Sequence, residues 1–324
     1  MMSGHYSFTS CFAPFIESMI TEKRNAGFQY EHAEWILHKF DEFCNQEQVE
    51  TPVITQELAG KWGTLRKTET KVTLAGRISV LRQLSLYMQA YGIKCYVPRN
   101  FTRKSNRSAY VLSIEEIQSL FLEIDSYQPT INAEVFHRLA LEYRILFRIL
   151  FCCGLRVSEA RKLRLDMVDL ENGVLKIYQS KGSNDRLVYL PDDLRQLCCE
   201  YLKIMTVKYK IKSEWFFPAS DPAKVLQVAS VGKRFHRAWE QTPYARERAL
   251  QPTVHSLRHT FVVLRMNEWM KSGVKLDNMM PYLSKYLGHS SPDDTFYYYH
   301  QVEEAFSIIK QKDQSASFVI PEVA

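Results

Sequence analysis

PYLSKYLGHSSPDDTFYYYH, residues 281–300, is the stretch on which the reading of this chain turns. Gly288 beside His289 marks the end of one helix, because glycine takes the left-handed cap conformation without strain. Ser290, Ser291, Pro292, Asp293 and Asp294 form a run of turn and cap residues that opens the next helix. Tyr297, Tyr298 and Tyr299 follow. His289 and a tyrosine about two turns into that second helix are expected to face one small anion. A phenol becomes a useful nucleophile when its neighbours neutralise the charge it attacks. Taken alone, the tyrosines read better as core aromatics of a buried helix. Two stretches upstream reverse that preference.

The first is Gly154-Leu-Arg156-Val-Ser-Glu159. A guanidinium placed just after a glycine, at a helix start, combines a planar donor fork with free backbone N–H groups, an arrangement suited to phosphate. Glu159, three residues on, can reach back to hold Arg156, although the same spacing also describes a surface ion pair. The second is His255-Ser-Leu-Arg258-His259. At helical spacing His255 and Arg258 share a face. His255 and His259 could instead pair on zinc, but the glutamate of HExxH is missing and no third ligand suggests itself. Between these stretches, residues 174–181 (VLKIYQSK) and 187–190 (LVYL) read as a β-hairpin, with Gly182-Ser-Asn-Asp185 as its turn. Lys181 sits at the lip of that hairpin. It can protonate a leaving oxygen, or it is an ordinary exposed turn lysine.

The order of these motifs carries more than any one of them: GLRxSE, a hairpin lysine, HxxRH, LGHS, and a tyrosine nine residues after that histidine. In this order the chain resembles the tyrosine recombinases, or phage-type integrases, along essentially its whole length. The resemblance implies that Arg156, Lys181, His255, Arg258, His289 and Tyr298 are catalytic. Tyr298 is chosen by its offset from His289 and by the Y-x-H ending with His300. Glu159 supports Arg156, and His259 matches a position that is usually structural. It implies metal-free cleavage with no cofactor. The tyrosine forms a 3′-phosphotyrosyl bond, Lys181 protonates the 5′ oxygen, and His255 either handles the tyrosine proton or supports the phosphate. The implied partners are double-stranded DNA with paired half-sites and a homotetramer on synapsed DNA, with accessory recombination proteins as further candidates. The segment 302–310, with Phe306, Ile308 and Ile309, is expected to dock on a neighbouring protomer. The text LSKYLGHSS…DT…Y looks most like recombinases of transposons and integrative elements, which implies integration or excision of a mobile element. With little chain before Pro14, the expected likeness is to two-domain members without the arm-binding domain of the larger phage integrases. Two other functions fit the same motifs: a type IB topoisomerase-like enzyme, and a catalytically silent DNA-binding factor.

Composition agrees. The 324 residues are 46% hydrophobic and 24% charged, enough for two cores. No apolar run is long enough to span a membrane, and no signal peptide is visible. Seven cysteines without a CxxC argue for reduced thiols in a cytoplasm and against a zinc site, and the resemblance implies that the cytoplasm is bacterial. No GxxxxGK[ST] or GxGxxG suggests a nucleotide. Residues 1–60 carry three Lys/Arg against nine Asp/Glu, whereas residues 61–107 carry eleven against one. So one-sided a block is the footprint of a polyanion partner. Lys61, Arg66, Lys67, Lys71, Arg77, Arg82, Arg99, Arg103, Lys104 and Arg107 are its DNA-binding candidates.

The expected fold is mainly α with a small β-hairpin, an α+β catalytic domain behind a helical bundle. Residues 12–97 form the bundle, with helices over 14–25, 30–45, 55–65 and 71–91. In the last of these Leu74, Ile78, Leu81, Leu84, Leu86 and Met88 make the apolar face, and Arg77 and Arg82 look away from it. Residues 98–110 form a basic linker and 111–324 the catalytic domain. That domain opens on a capping box, Ser113 with Glu116, and contains a buried helix over 137–150.

Overall fold

In the computed structural model the chain divides into two compact units, residues 1–107 and 108–324. Residues 6–99, 109–178, 185–247, 250–289, 291 and 293–298 are described. Lys181, Tyr299, His300, the segment 302–310 and the basic residues Arg103, Lys104 and Arg107 lie outside them.

The N-terminal unit consists of α1 (Ala13–Asn25), α2 (Glu31–Gln46), α3 (Gln56–Trp62) and α4 (Lys71–Ala90). Threonine side chains start the last two helices. Thr55 accepts from the Leu58 N–H at 3.1 Å and Thr70 from the Thr73 N–H at 3.2 Å. Along α4, Leu74, Ile78, Leu81, Leu84 and Met88 are buried, but Leu86 is 45% exposed. Two steps of 100° carry Leu86 away from the face that Leu84 shares. The same periodicity corrects the reading of Arg77. It lies three residues from Leu74, on the inner face, and is 5% exposed. There it pairs with Glu69 at 2.7 Å, donates to the Trp62 and Thr64 carbonyls, and stacks over the Trp62 ring.

The C-terminal unit begins with the expected capping box. Ser113 N–H donates to Glu116 at 2.9 Å, and the Ser113 hydroxyl accepts from the Glu116 N–H at 3.2 Å. This box starts α5 (Ile114–Ser126). The long α6 (Glu134–Cys152) lies at the centre of the unit and packs on α5, α8 (Asp192–Val207) and α10 (Val254–Lys271). Its Ile145, Leu146, Phe147, Ile149 and Leu150 are buried. The four-residue α7 (Val157–Ala160) follows α6 directly. The sheet has three antiparallel strands, β1 (Val168–Asp169), β2 (Val174–Ile177) and β3 (Arg186–Tyr189), in that order. The hairpin was expected and the short third strand was not. Register pairs Leu175 with Val188 and Ile177 with Arg186. Helix α9 (Val228–Gln241) closes the main core through Val231, Phe235 and Trp239. A second cluster joins α10 to α11 (Leu276–Leu287) through Phe261, Val262, Met266, Met280, Leu283 and Leu287, and it includes the Tyr298 ring. After α11 comes the one-turn α12 (Asp293–Phe296). All seven cysteines are free. Among the described residues, no helix is long and apolar enough to cross a membrane.

Candidate active site

The site is assembled on the carboxyl end of α11. Gly288 ends that helix at φ +66, and the Gly288 and His289 N–H groups close back on the Lys285 and Ser284 carbonyls at 3.0 Å each. A helix C-terminus presents unpaired carbonyls and partial negative charge. Two guanidiniums cap it. Arg156 donates to the Gly288 carbonyl at 2.9 Å, and Arg258 donates to the neighbouring Leu287 carbonyl at 2.8 Å. Two residues far apart in sequence are thus brought together on consecutive peptide groups.

Arg156 occupies the cap position of α7. Glu159 contacts it twice: one carboxylate oxygen accepts from the guanidinium and the other from the Arg156 N–H, each at 2.9 Å. Burial pushes the Glu159 carboxyl upward, but hydrogen bonds and charge from Arg186, then from Arg156, overcome this and hold it below the usual carboxylate range. Gly154 sets the approach. Its φ is +61, a Cβ there would fall 2.5 Å from the Phe261 ring, and its carbonyl accepts from Arg258 at 2.7 Å.

Arg258 is 1% exposed. Burial and the nearby Arg156 charge lower its pKa to about 10, so it remains cationic at neutral pH. It also meets His289 Nε2 at 2.9 Å, and His289 Nδ1 meets the Thr295 hydroxyl at 2.7 Å. A guanidinium only donates, so Nε2 accepts and the imidazole proton sits on Nδ1, directed at Thr295. Burial, followed by Arg258 and Arg156, lowers the His289 pKa to about 3, which keeps the ring neutral.

Tyr298 is 4% exposed, with its hydroxyl 2.6 Å from Nδ1 of His259. It stands in the turn after α12, not two turns into a helix as the sequence suggested. Burial raises its pKa to about 12, although Arg258 and Arg156 pull the other way, so the resting phenol is protonated and donates to His259. Burial and the His255 charge lower the His259 pKa to about 4. The imidazole that touches the phenol is therefore His259, which the sequence reading assigned a structural place. His255 packs edge-on against His259, with ring centroids 4.4 Å apart. Crowding by protein atoms, then Arg258 and Arg156, lower its pKa to about 4. Tyr297 points elsewhere: it is 44% exposed, and its hydroxyl accepts from the Ala109 N–H at 3.2 Å. Sequence reasoning also passed over Thr295 and Arg186. Arg186 had a readable signal, because it is in phase along β3 with the buried Val188.

In the N-terminal unit, Lys61, Arg66, Lys67, Lys71 and Arg99 are exposed and Arg82 is half-buried, donating to the Pro98 carbonyl at 2.8 Å. Lys61 is shared with Glu47 at 2.8 Å, and Arg66 lies over the Trp62 ring. Arg77 is the exception, already committed to Glu69.

Two arginines, a histidine and a protonated tyrosine gathered on a helix end form an arrangement that can bind a phosphate and offer it a phenol. The model of the phage integrase family matches residues 112–305, well over half the chain, and the chain belongs to that family. It is a tyrosine-type DNA strand transferase. It is 27% identical over 298 residues to y4rB of Sinorhizobium fredii, a protein provisionally named integrase/recombinase, covering 89% of this chain and 92% of that one. It is 30% identical over 172 residues to the tyrosine recombinase XerD of Pseudomonas aeruginosa, covering 52% of each. Its fold is that of the XerH site-specific recombinase, solved as a post-cleavage complex with a palindromic difH substrate. That match has a TM-score of 0.63 at 22% identity and covers 92% of this chain and 83% of XerH.

Proposed function

We propose that this protein is a site-specific DNA recombinase that integrates or excises a mobile element through a 3′-phosphotyrosyl intermediate. The observation that carries the reading is the placing of Arg156 and Arg258 on the adjacent carbonyls of Gly288 and Leu287, with Tyr298 bonded to the residue that follows Arg258. A scissile phosphate bound by the two guanidiniums meets donors where its transition state gains charge, and each such donor contributes a few kcal/mol, about 3 in typical cases. The Tyr298 oxygen attacks phosphorus and gives its proton to His259 Nδ1. The P–O5′ bond breaks, and Lys181 protonates the departing oxygen. His289 can turn its Nε2 from Arg258 to the phosphate by moving its proton, because the Thr295 hydroxyl serves either tautomer as acceptor or donor. The phosphotyrosyl bond conserves the energy of the broken diester, so a second 5′-hydroxyl can reverse the step without ATP. Exchange between two duplexes requires four active sites, hence a homotetramer on paired half-sites.

The test starts from random-sequence duplex. DNA selected by binding should converge on two inverted half-sites. Two labelled copies of it should then form a Holliday junction with the protein. Relaxation of supercoils by the monomer, with no junction, would favour the topoisomerase reading instead.

A further inference from the structure

Arg186 enters β3 facing the interior, opposite Ile177. Its side chain is 5% exposed. Nη1 and Nη2 donate to the two oxygens of Glu159 at 3.1 and 2.8 Å, and Nε donates to the Tyr286 carbonyl at 2.7 Å. The same guanidinium lies against Gly288, where a Cβ would fall 2.8 Å from Nη1. One planar group therefore closes on the turn that carries Arg156 and on the turn that carries His289. The strand it belongs to begins five residues after Lys181.

We infer that Arg186 is a positioning residue for strand cleavage, fixing Glu159, and through it Arg156, against the turn that carries His289. This rests on the recombinase reading above and extends it to a residue outside the reacting set. The chemistry of the side chain supports it. Only a guanidinium offers a two-pronged fork for a carboxylate and a further Nε–H for a carbonyl, so lysine cannot make all three contacts. The groups facing the Glu159 carboxylate are Arg156 beside it, Arg186 from β3, and His255 and Arg258 from α10. Arg186 is the largest of the influences that oppose burial there. Without it, burial prevails and the carboxyl protonates at higher pH, releasing the Arg156 guanidinium.

The experiment compares the parent with Arg186→Lys, Arg186→Met, Glu159→Gln and the double variant Arg186→Met/Glu159→Gln, all as full chains. The substrate is the binding-selected duplex, nicked so that the adduct is trapped. Arg186→Met should slow adduct formation about a hundredfold with affinity within about threefold of the parent, as for loss of a group that orients a reacting one. Arg186→Lys should recover part of the rate. The double variant should be no slower than the slower single variant, because both act through one contact. The acid limb of the rate should move to higher pH in Arg186→Met and vanish in Glu159→Gln. A lowered unfolding midpoint with a parental rate and pH profile, or losses that multiply in the double variant, overturns the inference. If Arg186→Met does not fold, Arg186→Lys carries the same comparison. If the parent itself forms no adduct, the recombinase reading has failed instead. Carbon NMR of the Glu159 carboxyl then reads the Arg186–Glu159 contact by itself, and a titration that does not rise in the Arg186 variant overturns that contact's role in holding Arg156.

Discussion

Gly288→Ala should damage this protein for two separable reasons, and Gly273→Ala measures one of them alone. Both glycines follow helix ends at positive φ, +66 and +74. An alanine Cβ in that conformation costs about 1 kcal/mol. At Gly273 the new methyl meets nothing within 4 Å. At Gly288 it meets Arg186 Nη1 at 2.8 Å, Cζ at 3.0 Å and Nε at 3.3 Å. That guanidinium cannot swing aside, because it is bonded to Glu159 and the Tyr286 carbonyl. Displacing it forfeits at least one charge-assisted hydrogen bond, worth about 2 kcal/mol. Gly273→Ala should therefore lower the stability of the C-terminal unit by about 1 kcal/mol and Gly288→Ala by about 3, a difference of roughly 4–8 °C in melting temperature for a unit of this size. The assay is urea and thermal unfolding of the two variants beside the parent, with adduct formation on the selected duplex read in parallel. Gly273→Ala should keep the parental rate. Equal destabilisation by the two variants, within about 0.5 kcal/mol, would refute the claim that the turn and the guanidinium are locked together.

Three further outcomes follow from other parts of the molecule. Lys181→Ala should lose cleavage of an ordinary diester by orders of magnitude but cleave a 5′-bridging phosphorothiolate at nearly the parental rate, since sulfur leaves without a proton; absence of rescue reassigns the acid. His289 and His259 have folded-state pKa values depressed to about 3 and about 4, so the stability they allow is present above their unfolded value and is lost as pH falls through that window. His255 is depressed to about 4 as well, so these three rings should take up about three protons between pH 6.5 and 4 when the C-terminal unit unfolds, and midpoints that stay flat over that range would contradict the neutral rings. In the N-terminal unit, Lys71→Gln should weaken DNA binding and reduce the salt slope by about one, whereas Arg77→Gln should lower the unit's melting temperature without changing the slope.

The order of the motifs along the chain was legible in the sequence, and so were the local signals that shape them. Ser113 with Glu116 and Gly288 after α11 each act within a few residues, where spacing alone decides the structure. Arg77 was misjudged because it was placed on the outer face of α4 although it lies beside Leu74 and Ile78 on the inner one, and because its partner Glu69 lies in the preceding loop. Arg186 escaped notice for a different reason. Its contacts lie 27 and 100 residues away, and only the folded chain brings them together. His259 shows the same limit: its place beside His255 and Arg258 could be read from helical spacing, but its partner Tyr298 is 39 residues on. The tyrosine triplet could not be resolved by composition. The burial of Tyr298 against α10 and the outward turn of Tyr297 separate those two, and that separation depends on packing.

The most direct measurement of the central claim is the identity of the tyrosine joined to DNA. A nicked duplex carrying the selected half-sites is reacted with the parent protein, the adduct is digested, and the DNA-linked peptide is sequenced. The linked residue should be Tyr298, and Tyr298→Phe should bind the duplex with parental affinity while forming no adduct. Tyr297→Phe and Tyr299→Phe should keep most of the parental yield, since each removes only a hydroxyl outside the reacting group. A linkage at Tyr297 or Tyr299, or a Tyr298→Phe protein that still cleaves, would contradict the account.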